Sequence, residues 1–199
     1  INKNIDFIYI QKSLKRVNAL NLAIKNCTAE LSFRFDIRTR FSVDYAKNVI
    51  SKFNDQKIKA SVIGGVPLAI SNDESIQAKL CKEIMNRSYI FFYPKHRNRL
   101  FNGYSSSVYL GCFKTKLLKK FNYREFNNLI SEDSLIINDF LKEGYKTYLD
   151  SSIKLSYVSR SKFKNILFMF HSYGFARANT ILSQKKLFIS PRHSMVFVF

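Results

Sequence analysis

Apolar positions along the chain change period repeatedly, and each change marks an element. Residues 6–10, Asp-Phe-Ile-Tyr-Ile, read as a short strand. Between residues 14 and 26 the apolar side chains Val17, Leu20, Ala23 and Ile24 recur at helical spacing. Leu31-Ser-Phe-Arg-Phe35 alternates with the period of a strand and ends at Asp36. Val43 to Phe53 returns to helical spacing, with Ser42 placed to cap it. Ala60 to Ile63 reads as a buried strand that runs into Gly64-Gly65 and then Pro67. Ser75 to Met85 reads as a helix. Residues 87–104 have no period and hold Pro94, Asn98, Asn102 and Gly103, so they predict a long loop.

Ser107 to Leu110 is the next strand, followed by Gly111 and a short basic helix. Glu132-Asp133 opens a helix through Leu141, with Ser131 as its cap and Gly144 as a left-handed stop. Thr147 to Leu149 and Ile153 to Tyr157 read as two short strands, and Lys162 to Leu182 as a long amphipathic helix. No internal repeat interrupts this order. Strands and helices alternate throughout, which predicts an α/β fold with a mostly parallel sheet flanked by helices.

Composition narrows the class. Hydrophobic residues make up 46% of the 199 and aromatics 15%, enough for a packed core and too much for a disordered tail. Cys27, Cys81 and Cys112 are far apart and odd in number, so neither a zinc ribbon nor a disulfide scaffold is supported. They read as free thiols buried in a reducing compartment. Against 14 acids stand 33 Lys and Arg, a net charge of +19 that favours polyanionic partners. No acid follows Asp150, while eight Lys and Arg do. A basic stretch rich in Phe, Leu and Ile suits an anionic membrane surface. Nucleic acid is the rival partner for such charge, but it rests on charge alone and is not expected here.

Candidate chemistry starts with carboxylates. Asp36 stands at the end of an apolar strand, where α/β sheets bind ligands, and a carboxylate there can hold a cation or a ribose hydroxyl. A turn-forming Asp explains the same position. Glu132-Asp133 fits helix capping, and it equally fits a general base for an acceptor hydroxyl. Gly64-Gly65 would allow close approach of a ligand or of a neighbouring strand. The chain has neither a P-loop nor a GxGxxG fingerprint, and His96, His171 and His193 lack ligand spacing. Gly174 inside the last helix implies a close contact or a break.

The order of these features carries more than any one of them. Arg16-Val-Asn-Ala-Leu-Asn21, the strand ending in Asp36, Gly64-Gly65, Tyr109-Leu-Gly-Cys-Phe113, Ser131-Glu-Asp133, Leu141-Lys-Glu-Gly-Tyr-Lys146, Tyr157-Val-Ser-Arg160 and Tyr173-Gly174 follow one another. In this order the chain resembles inverting family 2 glycosyltransferases of the GT-A (Rossmann-like) fold, closest to the succinoglycan type of bacterial exopolysaccharide synthesis. The resemblance covers residues 8–199. It implies a partial GT-A catalytic domain over 1–160 and a basic, membrane-proximal segment over 161–199. It implies Asp133, with Glu132 before it, as the base, and Asn21, Asp36, Arg38, Gly64, Gly65, Arg160 and Arg177 on the donor side. Gly111 and Tyr173 fall on the acceptor side. Asp36 matches the first acid of an Asp-x-Asp motif that holds Mg²⁺ or Mn²⁺ against the donor diphosphate.

The implied partners are a nucleotide-sugar donor, a lipid-linked or glycan acceptor and an anionic membrane, with the protein on the cytoplasmic face of the cell membrane. The second acid of Asp-x-Asp is Arg38 here, and Met169 and Ala176 stand near the family's expected Gln and Trp. These departures motivate an alternative, a degenerate relative serving as a non-catalytic binding or assembly subunit. The opening at Ile1 and the apolar run from Met195 to Phe199 suggest a piece of a longer protein. Its first nucleotide-contacting strand would precede Ile1, and apolar anchoring helices would begin near Met195.

Overall fold

The computed structural model describes residue 9 and residues 14–87, 95–124 and 132–183, and beyond Phe175 only the Ala178 side chain. The strand expected over 6–10 (Tyr9 apart), residues 88–94 of the expected loop, the Ser131 cap, the Arg177 side chain and the run from Met195 lie outside the described residues. The elements are α1 (Arg16–Asn26), β1 (Leu31–Phe33), β2 (Thr39–Phe41), α2 (Tyr45–Asn54), β3 (Val62–Ile70), α3 (Ile76–Asn86), β4 (Gly103–Ser105), β5 (Cys112–Lys114), α4 (Thr115–Phe121), α5 (Glu132–Lys142), β6 (Thr147–Val158) and α6 (Phe163–Ser183). A 3-10 turn covers Lys95–Arg97.

The sheet runs in the order β1-β5-β3-β6-β2, with β4 also paired to β6. The α/β architecture follows the sequence pattern, but the sheet is mixed rather than mostly parallel. Its central pair, β3 with β6, is parallel, and the other pairings among the described residues are antiparallel. Alternation of helix and strand in sequence does not fix direction when edge strands are three residues long. Such strands enter through short turns, which antiparallel pairing permits.

Two local corrections have backbone causes. The strand expected at 107–110 forms instead at 112–114, because Leu110 (φ 56°) and Gly111 (φ 35°) adopt left-handed backbone that breaks an extended run. Ser42 does not cap α2: its carbonyl accepts from Tyr45 N–H at 2.9 Å, and Asp44 holds the cap position.

The two strands expected at 147–149 and 153–157 are one strand with a bulge between them. Gly64 pairs with Leu149, and Val66 already pairs with Lys154. β6 therefore carries three extra residues, an odd number, and its side chains exchange faces. Leu149 packs with Val62, Phe140 and Ile136 on one face, whereas Ile153 and Leu155 pack with Ile63, Tyr45 and Val49 on the other. Asp150 in the bulge accepts from Ser152 N–H at 2.8 Å and pairs with Lys52 of α2 at 2.8 Å, which ties that helix to the sheet.

β1 and β2 lie on opposite edges although residues 34–38 alone join them. Crossing four strand spacings needs roughly 19 Å. Six residue steps reach about 20 Å only when fully extended. Yet Thr39 N–H bonds back to the Asp36 carbonyl at 2.9 Å, so the segment is turned. The sheet accommodates this by curling until its edges approach. The Phe35 ring sits 4.6 Å from Phe41 and 6.1 Å from Phe33. The crossing segment thus passes near the carboxyl ends of β3 and β6, where Val158 N–H bonds the Arg38 carbonyl at 2.9 Å.

α1, α4 and α5 cover one face of the sheet, α2 covers the other, and α3 packs against α6 through Cys81, Met85 and Ile166. Cys81 and Cys112 are buried free thiols as expected, while Cys27 is only half-buried. Burial pushes the Cys112 thiol up to about 12, which keeps it protonated. No helix among the described residues is long and apolar enough to cross a membrane.

Candidate active site

The crossing segment and the start of α5 bring three acids together. Glu132 and Asp133 occupy the first turn of α5, where the helix dipole favours negative charge. The Glu132 side chain is 4% exposed and so requires partners. Its Oε1 accepts from Arg16 Nη2 at 2.8 Å and from Arg34 Nη2 at 3.1 Å. Arg34 Nε also faces Asp36 Oδ1 at 3.5 Å, and Arg16 Nη2 lies 3.9 Å from Asp36 Oδ2. Two guanidinium groups therefore bridge two acids that stand 96 positions apart in the chain.

Arg34 is nearly enclosed, and its guanidinium lies 5.9 Å from the Tyr123 ring centre. Tyr123 is held by Asn21 of α1: Asn21 Nδ2 donates to the Tyr123 carbonyl at 2.7 Å, and Tyr123 N–H donates to Asn21 Oδ1 at 2.8 Å. Asn21 thus braces the wall behind Arg34 with both ends of its amide.

Asp133 is half-buried beside Glu132. Burial raises its pKa and the Glu132 charge raises it further, outweighing Arg34, the Ser134 N–H and Arg16. The Ser134 N–H donates to Asp133 Oδ1 at 2.8 Å. A carboxylate held above its usual range is a better proton acceptor near neutral pH. Burial also raises the Tyr173 phenol, the Asp133 charge adds to this, and Arg97 and Arg160 oppose it. These four side chains, from four parts of the chain, share one electrostatic space. Arg97 Nη1 donates to Tyr157 Oη at 2.7 Å, and the Tyr157 ring lies 5.6 Å from that of Tyr109. Arg97, Tyr157 and Tyr109 thus form one cluster of contacts.

The glycines expected at the donor side take a different place. Gly64 and Gly65 are buried inside β3 rather than in a loop after it. A β-carbon on Gly65 would lie 1.9 Å from the Ile153 carbonyl oxygen, and one on Gly64 would lie 2.5 Å from Val108 Cγ1. They admit the bulged neighbouring strand. Gly111 combines its positive φ with a β-carbon position 2.8 Å from Val108 Cγ1, so it serves the turn into β5. Arg38 is exposed beside Asp36, and Arg160 is half-buried just past β6.

Sequence reasoning passed over Arg34, Tyr123, Arg97 and Tyr157 as site residues. Arg34 left a signal: a lone cation between Phe33 and Phe35 in an apolar strand is a charge that needs a buried partner.

The donors around Asp36 do not make a metal shell. Both Asp36 oxygens face guanidinium groups, position 38 is a cation, and no group of three potential ligands forms among the described residues.

No protein-family model matches the chain. It is similar to the dolichyl N-acetyl-alpha-D-glucosaminyl phosphate 3-beta-D-2,3-diacetamido-2,3-dideoxy-beta-D-glucuronosyltransferase of Methanococcus voltae, at 28% identity over 183 residues. That match takes in 85% of this chain and 53% of the relative, so the chain spans about half the relative's length. Among solved structures, S. aureus TarS 1–349 superposes with a TM-score of 0.46 and 12% identity, over 83% of this chain and 44% of that one. The chain is thus similar in sequence to a glycosyltransferase.

Proposed function

We propose that the chain carries the catalytic face of an inverting, GT-A-type family 2 glycosyltransferase that moves a sugar from a nucleotide-diphosphate donor to a lipid-linked acceptor. The observation that carries this reading is the pair Asp36 and Glu132, bridged by Arg16 and Arg34, with Asp133 next to Glu132 in the first turn of α5. The Methanococcus relative is named for a sugar phosphate on dolichol, and the same acceptor class is assigned here. In this scheme Asp133 takes the proton from the acceptor hydroxyl as that oxygen attacks the sugar. Glu132 belongs to the frame: with both guanidiniums on its Oε1 it holds Arg16 and Arg34 in place. The resemblance assigns Tyr173 and Gly111 to the acceptor side, and Arg160 and Arg177 to the donor diphosphate.

The segment 161–199 fits a membrane-proximal role. Leu167 (68% exposed), Phe168 (69%) and Phe175 (59%) of α6 face solvent, with Lys162 and Lys164 beside them. This face suits an anionic membrane on its cytoplasmic side, in the synthesis of a cell-surface polysaccharide.

The test is transfer of label from radioactive nucleotide sugars into a lipid-extractable product by the purified protein. Incorporation by the wild type, absent without protein, is expected. If no nucleotide sugar is incorporated while deletion of the gene still abolishes the polymer, the protein is a non-catalytic assembly subunit instead.

A further inference from the structure

An Asp-x-Asp site normally places a divalent cation between its acids and a diphosphate. Here the positive charge at that place already belongs to the chain. Asp36 faces Arg34 Nε at 3.5 Å through one oxygen and Arg16 Nη2 at 3.9 Å through the other. The position two residues on, where a second ligand carboxylate would stand, is Arg38. A divalent ion on Asp36 would therefore sit within a few ångströms of two like charges, at a strong Coulombic cost.

The guanidiniums cannot simply withdraw. Arg34 is 9% exposed and wedged among Asp36, Glu132 and the Tyr123 ring. Moving it would leave Glu132, itself 4% exposed, short of a partner in the interior. Arg16 is different. Its side chain is 51% exposed at the mouth of the site. A guanidinium has five N–H donors in a planar fork that fits phosphate oxygens, and the contacts to Glu132 and Asp36 both come from Nη2. Arg38 adds a further exposed cation on the same segment.

We infer that Arg16 and Arg34 replace the divalent metal at this site: Arg34 holds Asp36 as a fixed counter-ion, and Arg16 receives the phosphate oxygens of a nucleoside diphosphate. Asp36 is then a positioning residue that orients the two guanidiniums and ligates no metal. This inference rests on the donor reading above for the identity of its anion, but its statement about Asp36 stands apart from that reading.

The experiment has two arms on the protein as its cell makes it, with Mn²⁺ and UDP as probes. In the first, the electron paramagnetic resonance signal of free Mn²⁺ is followed as protein is added without nucleotide. The inference expects the signal to stay that of the free ion, in the wild type and in Asp36→Asn alike. A stoichiometric loss of signal that Asp36→Asn restores would overturn it, whether or not the protein proves to transfer sugar. In the second, UDP binding is measured by calorimetry in EDTA and in Mn²⁺. Equal affinity is expected, with Arg16→Gln weaker by about tenfold in both. Arg16 is half-exposed, so this variant keeps the fold. Binding that needs Mn²⁺ overturns the inference. Binding in neither buffer removes Arg16 as the phosphate receptor and sinks the donor reading with it, while the first arm still decides whether Asp36 ligates a metal.

Discussion

In the proposed reaction Asp133 is the base, and its environment sets a pH dependence. Burial and the Glu132 charge hold its pKa above the ordinary carboxylate value of 3.8. The base must be ionised to work, so activity falls as pH drops through this raised pKa. The acid limb of kcat/KM is expected above the range of a free aspartate, and Glu132→Gln should move it down by removing a neighbouring negative charge. A limb at the free-aspartate position, indifferent to Glu132, would contradict this. The same shift has a stability consequence. The folded state binds the Asp133 proton more tightly than the unfolded chain, so stability declines as pH rises from the unfolded to the folded pKa. Above that window the ionised group is a net burden. Asp133→Asn should therefore leave the thermal midpoint at neutral pH unchanged or higher, as read by circular dichroism.

At the level of elements, the bulge in β6 and the glycines opposite it form one device. Gly65→Ala would place a methyl 1.9 Å from the Ile153 carbonyl, and the strand pair must part to admit it. A loss of about 3 kcal/mol in urea unfolding is expected, and a neutral result would mean that the bulge relaxes freely. Lys52→Met would leave the buried Asp150 without its 2.8 Å partner. That should cost about 2 kcal/mol. The cost should shrink in acid: the Asp150 pKa is lowered in the fold, where the Lys52 and Ser152 hydrogen bonds overcome burial, so its contribution disappears as pH falls through that value.

Much at this scale was legible in sequence. The helices at 16–26, 45–54, 76–86, 132–142 and 163–183 carry clear periods or caps, and Ser75 accepts from Ala78 N–H as a capping serine should. Strand direction was not legible, because period two says nothing about the neighbour. Nor was the union of 147–149 with 153–157, since a bulge breaks the period that defines a strand. The candidate acids Asp36, Glu132 and Asp133 could be named from sequence, but not the bracing by Arg34 and Tyr123, which depends on contacts across about a hundred residues.

The whole molecule carries +19, and α6 exposes the apolar residues Leu167, Phe168 and Phe175 close in sequence to Lys162 and Lys164. Binding to vesicles should follow both features. Anionic vesicles should sediment the protein and zwitterionic ones should not, binding should weaken with salt, and the double change of Leu167 and Phe168 to Ser should abolish it. Equal binding to both vesicle types would remove the membrane from the account. The central claim, however, is that this curled sheet presents Asp133 to an acceptor hydroxyl. Its most direct test is the rate of sugar transfer to a lipid-linked acceptor by Asp133→Asn, measured beside the wild type at matched thermal stability. The account predicts a fall of about three orders of magnitude with the fold intact. Transfer at the wild-type rate by a folded Asp133→Asn protein would contradict it.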